Sequence, residues 1–142
     1  MQFTKTRRIL LALAGLCAAY IGLSILLAPA AFHASNGIEL ALDPNLLSEV
    51  RAPGAALMTL GLLILLGAFV RALTLTSTVI AAAVYLSYGL GRLVSFGFDG
   101  LPGSGLIGAT VIELVLGLAC ACALLSAKPR VAEPTACVTG RS

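Results

Sequence analysis

Tryptophan is absent from this chain, histidine occurs once, and charged residues make up only 11% of its 142 positions. Without tryptophan, an aromatic belt at a membrane surface has to come from three tyrosines and five phenylalanines. A lone histidine, His33, has no partners at ligand spacing, so no metal site is expected and no cofactor is implied. A phosphate-cradling glycine loop and a G-x-S-x-G elbow are also missing, which removes nucleotide-driven transport and histidine-assisted hydrolysis. The net charge of +3 is modest. Its basic residues sit at segment ends, which speaks for membrane topology and against a nucleic-acid partner.

What the chain has instead is apolar length. Hydrophobic residues make up 59% and the mean hydropathy is +1.04, far above the soluble globular range. Four apolar runs stand out, Ile9 to Ala28, Ala52 to Val70, Leu73 to Phe96 and Gly105 to Ala127. Each matches the roughly 20 residues that a bilayer-crossing helix needs. Strands are excluded because open sheet edges are not tolerated in lipid. The expected fold class is therefore all-α, an integral membrane four-helix bundle. Residues 1–127 form its transmembrane domain and residues 128–142 a tail expected to be disordered. Lys5, Arg7 and Arg8 before the first run, with Ala28-Pro29-Ala30 after it, also suit a secretory signal. The apolar core is too long for that, however, and an uncleaved helix is expected. Leu16 stands where a lipoprotein cysteine at position 17 would need a small residue.

If the helices alternate, Lys5, Arg7, Arg8, Arg71, Lys128, Arg130 and Arg141 share one side. The other side carries Glu39, Asp43, Glu49 and Asp99, with Arg51 and Arg92 near its edge. The positive-inside bias then puts both termini in the cytoplasm of a bacterial inner membrane. In the first outer loop, Asp43-Pro44 is a helix start and Leu46, Leu47 and Val50 share a face. This predicts a short interfacial helix from Pro44 to Arg51, with a kink near Pro53. Arg71 to Leu75 reads as a tight turn, and Asp99-Gly100 with Pro102-Gly103 as another.

Glu113 lies inside the fourth run, about eight residues or roughly 12 Å from its outer end. An ionisable group at that depth marks a pathway or an internal pair. Gly105, Ala109, Gly117 and Ala121 surround it at four-residue spacing, so a neighbouring helix can come close. Arg92, or failing that Arg51, can reach it by extending along its own helix. Glu49, Arg51, Arg92, Asp99 and Glu113 thus form an expected polar cluster at the outer end. Tyr85, Tyr88 and Arg92 share one face of the third run beside Gly89 and Gly91. Arg51, Tyr85, Tyr88, Arg92 and Glu113 are therefore the candidate ligand-binding residues, suited to a polar head group or a quinone-like ring. A purely structural Arg–Glu pair fits the same residues. Asp99 reads first as a turn residue. Cys17, Cys120, Cys122 and Cys137 read as small apolar fillers: 120 and 122 lie on opposite helix faces, and the tail is cytoplasmic.

The strings Leu46-Leu47-Ser48-Glu49-Val50-Arg51-Ala52, Gly91-Arg92-Leu93-Val94-Ser95 and Asp99-Gly100-Leu101-Pro102, followed by Glu113, resemble the bacterial four-helix membrane proteins grouped as domain of unknown function 4345. The resemblance runs from about Arg7 to Ala127. It implies four spans with Glu49, Arg51, Arg92, Asp99 and Glu113 as matching polar positions, and implies no activity. Pro53, just after Arg51-Ala52, departs from that pattern. Two function classes follow. One is a non-enzymatic membrane protein, an accessory subunit of a larger complex or a binder of a lipid or quinone-like molecule. The other is a small intramembrane enzyme with Glu113 as general acid or base. Membrane lipid is the expected surrounding in either. A reporter active only outside the cytoplasm, fused after Ser142, is expected to be silent; activity there would overturn the orientation.

Overall fold

The computed structural model describes residues 2–126 and is helical almost throughout. Five α-helices follow in order: α1 (Gln2–Leu27), α2 (Pro29–Ala34), α3 (Pro44–Phe69), α4 (Thr74–Asp99) and α5 (Ser104–Leu125), with a single 3-10 turn at Arg71–Leu73 between α3 and α4. Four of them, α1, α3, α4 and α5, are long and apolar enough to cross a membrane. Large hydrophobic side chains such as Leu13, Tyr20, Leu62, Val94, Val111 and Val115 point outward. That surface suits lipid and would be a liability in water. The tail from residue 128 lies outside the described residues.

The helices pack as two antiparallel hairpins. The closest packing is between α1 and α3. A Cβ at Gly22 would meet the backbone of Met58, one at Gly61 the backbone of Ala18 and Ala19, and one at Gly15 the backbone of Leu65. Lipid tails are as apolar as leucine, so close backbone approach supplies much of the attraction between helices in a bilayer. The core beside this contact is correspondingly small-residue-rich, with Leu11, Ala14, Ala18, Leu57, Ile64 and Ala68 buried. The second hairpin is α4 with α5, where Gly89 lies on Leu114 and Gly117 on Leu86. The hairpins join through α3 and α4, while α1 and α5 barely touch.

Side chains stitch the end that carries Lys5, Arg7, Arg8 and Arg71, here called the basic end. Ser77 Oγ donates to Leu63 O at 2.8 Å and Thr74 Oγ1 to Gly67 O at 2.9 Å. Arg8 Nη2 donates to Phe69 O at 3.1 Å, satisfying a carbonyl left open at the end of α3. Arg7 Nε reaches Thr78 Oγ1 at 3.0 Å, so this arginine lies against α4 and is more than a topology marker.

At the opposite, loop end the structure departs from expectation. Asp43 caps as predicted, its Oδ1 accepting from Asn45 N and Leu46 N at 3.0 Å each. The segment from Pro44 to Arg51, however, is not a separate interfacial helix. It forms the first two turns of α3, which continues as helix through Pro53. Pro53 and Glu49 are both exposed, so the carbonyl that loses its donor at Pro53 faces outward, where it is least costly. The short helix of this loop is α2, with Pro29 in its first turn.

Overpacking the α1/α3 contact tests this arrangement. Gly22→Ala and Gly61→Ala are each expected to lower stability in detergent by about 1–3 kcal/mol. Gly108→Ala, where a Cβ meets nothing within 4 Å, should be neutral or stabilising. Equal effects at all three sites would contradict the close approach.

Candidate ligand site beside the Arg92–Glu113 pair

Packing of α4 on α5 sets the site. Gly89 opposite Leu114 and Leu86 opposite Gly117 fix an antiparallel register, and one turn further toward the loop end that register sets Arg92 beside Glu113. Arg92 Nε donates to Glu113 Oε2 at 2.9 Å and to Oε1 at 3.2 Å. This is the one ion pair among the described residues, with side-chain exposures of 32% for Arg92 and 13% for Glu113. A single N–H is shared between two oxygens. The guanidinium therefore meets the carboxylate edge-on, without the two-N–H fork that arginine can offer.

The pair borders a cavity of about 170 Å³ enclosed by all four spans and capped by α2. Its deeper wall is apolar, with Cys17, Ala18, Leu57 and Val84. Tyr85 belongs to this wall, but its hydroxyl donates to Ala14 O at 2.6 Å and so ties α4 to α1. Tyr88 lines the polar end with Arg92 and Glu113. Its hydroxyl makes no hydrogen bond among the described residues. Phe32 and Asn36 close the cavity from the loop side, where Asn36 Nδ2 donates to Phe32 O at 3.1 Å and so holds the cap in shape.

The remaining sequence candidates are not brought to this place. Arg51 is exposed on the first turns of α3 and lines a shallow groove with Leu26, Pro44 and Leu47. Glu49 is exposed on the same turns. Neither joins the pair, because α3 packs chiefly on α1 while the pair is held by α4 and α5. Asp99 ends α4 and accepts from Ser95 Oγ at 2.8 Å, just before Gly100 takes its positive φ of 93°. It serves the turn. The cover over the cavity is α2, through Phe32. His33 Nδ1 is 2.8 Å from Pro29 O within α2. Among the described residues no group of three His, Cys, Asp or Glu is placed to hold a metal ion. The sequence does not mark Phe32 or Asn36, and marks Cys17 only as a small apolar filler, since nothing in spacing identifies a residue as cavity lining.

Four long apolar helices, many outward hydrophobic side chains and an internal charge pair define a small multi-pass membrane protein. Within that class, the family described as Domain of unknown function (DUF4345) matches residues 6–124, and the chain belongs to it. No curated protein and no solved structure matches the chain.

A double-mutant cycle tests the pair. Arg92→Ala and Glu113→Ala should each destabilise the protein in detergent. The loss should lie toward the lower end of the about 3–5 kcal/mol for a broken buried pair, because Arg92 is about a third exposed. The double variant should lose clearly less than the sum. Strict additivity would mean that the two charges do not interact.

Proposed function

We propose that this protein is a non-catalytic membrane component that holds a hydrophobic or amphipathic small molecule, lipid- or quinone-like, in the cavity beside Arg92 and Glu113. The observation that carries this reading is the pairing of an apolar cavity with a few convergent polar groups at one end, the usual make-up of small-molecule sites. The basic bias of Lys5, Arg7, Arg8 and Arg71 supports an orientation with both termini in the cytoplasm and the cavity toward the outer leaflet. An inner-membrane location and a role as accessory to a larger membrane complex accord with this topology.

The competing reading, Glu113 as general acid or base, is less well supported. Both oxygens of Glu113 accept from Arg92, so the carboxylate is already engaged by a partner within the protein. A proton-transfer role also calls for a second group positioned on the substrate. Tyr85 is committed to Ala14 and Cys17 lies in the apolar wall, which leaves the Tyr88 hydroxyl, a group equally suited to donate to a bound ligand's oxygen.

The test is native mass spectrometry of protein extracted from its own membranes in mild detergent. One small hydrophobic molecule per chain is expected. Val84→Phe, which fills the cavity from its lining, should lose that molecule, while Val79→Phe on the exposed face of α4 should keep it. Retention by both variants, or no bound molecule in the unaltered protein, would overturn the reading.

A further inference from the structure

The cavity is polar at one end only, and the kind of polarity narrows its ligand. Arg92 spends Nε on Glu113, and its two Nη groups make no hydrogen bond among the described residues. Arg92 borders both the cavity and the open groove along Ser87 and Ser95. Tyr88 adds a free hydroxyl. The site thus presents hydrogen-bond donors from a pair whose net charge is zero. An anionic head group would lose hydration there without gaining a net opposite charge. A neutral carbonyl or ether oxygen gives up far less and gains the same donors.

Size narrows it further. About 170 Å³ is below the roughly 300–1,000 Å³ of drug-sized pockets and close to the roughly 150 Å³ of an apolar cavity that takes benzene. One six-membered ring fits, and a tail does not. The seam a tail would cross is that between α1 and α5, which barely touch and both line the cavity, through Ile21 and Ile25 on one side and Ala109 and Ile112 on the other.

We infer that the site takes a neutral lipid whose head is a single oxygen-bearing ring of the benzoquinone type. The ring oxygen is held by Arg92 Nη and the Tyr88 hydroxyl, and the tail leaves between α1 and α5 into the bilayer. This rests on the cavity being a binding site, as proposed above. Tyr88 and Arg92 choose the head, and the α1/α5 opening chooses the tail.

The experiment titrates purified full-length protein in mild detergent with three probes: a dimethoxy-methyl-benzoquinone carrying a decyl tail, decanol as the tail alone, and a short-chain phosphatidylglycerol as the anionic head. Bound probe is counted by native mass spectrometry. The quinone is expected to bind one per chain, at least about tenfold more tightly than either comparison probe. Tyr88→Phe, which removes one hydroxyl, should weaken it about five- to tenfold. Ala109→Phe should abolish it, and Ile112→Trp, at a more exposed lining position, serves as a second block should that variant not fold. Phosphatidylglycerol binding more tightly than the quinone, yet still lost in the blocked variants, would overturn the neutral-ring class and leave the cavity as a site. Decanol binding as well as the quinone would do the same. Quinone binding untouched by both blocks and by Tyr88→Phe, or no binding of any probe, would overturn the site itself.

Discussion

A carboxylate embedded in an apolar helix has to be neutralised from inside the protein, and in this fold only one neighbour does so. Glu113 is paired by Arg92 alone among the described residues, and the cost of leaving either charge unpaired in lipid is several kcal/mol. That constraint ties α4 to α5 in a single register, since a shift of one residue would turn Arg92 away from the carboxylate. It also keeps a charged pair at the loop end of a cavity whose deeper wall is apolar, which gives the cavity its two-ended character. The glycine contacts Gly89–Leu114 and Gly117–Leu86 hold the same register from the apolar side, so steric fit and electrostatics agree.

The two hairpins divide the work. Where α1 and α3 meet, backbone lies against backbone, which leaves little room for side chains or for movement. The α4–α5 hairpin carries the charge pair, and α5 buries the smallest share of its surface of the four spans. The weak contact between α1 and α5 is thus a consequence of unequal packing. Tyr85, bonded to the Ala14 carbonyl, bridges the hairpins just below the cavity and limits how far they can part. The structure therefore combines a tightly packed half, a more loosely packed half and a polar cross-link between them.

Much of this was legible in the sequence. Apolar length alone marks the four spans, because a bilayer demands it. The Arg92–Glu113 contact follows from a short turn at Gly100 to Gly103, which forces antiparallel neighbours with matched ends. The tightest helix contact was not legible. Gly15 and Gly22, and likewise Gly54 and Gly61, repeat at seven residues amid many other small residues, and nothing local separates them from the stripe around Glu113. Arg51 was placed by depth, which gives a height along the membrane normal but not which helix faces which. The α2 helix was obscured because Ala28-Pro29-Ala30 also suits a cleavage site. Its capping role depends on where α5 begins, a tertiary fact.

The central claim is that the Arg92–Glu113 pair guards a ligand cavity open toward lipid between α1 and α5. The most direct measurement is an electron-microscopy density map of the protein in lipid nanodiscs, with a bound antibody fragment to supply mass. The account predicts non-protein density within the bundle, in hydrogen-bond reach of Arg92 Nη and continuing between α1 and α5, with Arg92 Nε still on Glu113. A collapsed cavity, or an Arg92 side chain turned away from Glu113 toward the lipid head groups, would contradict it.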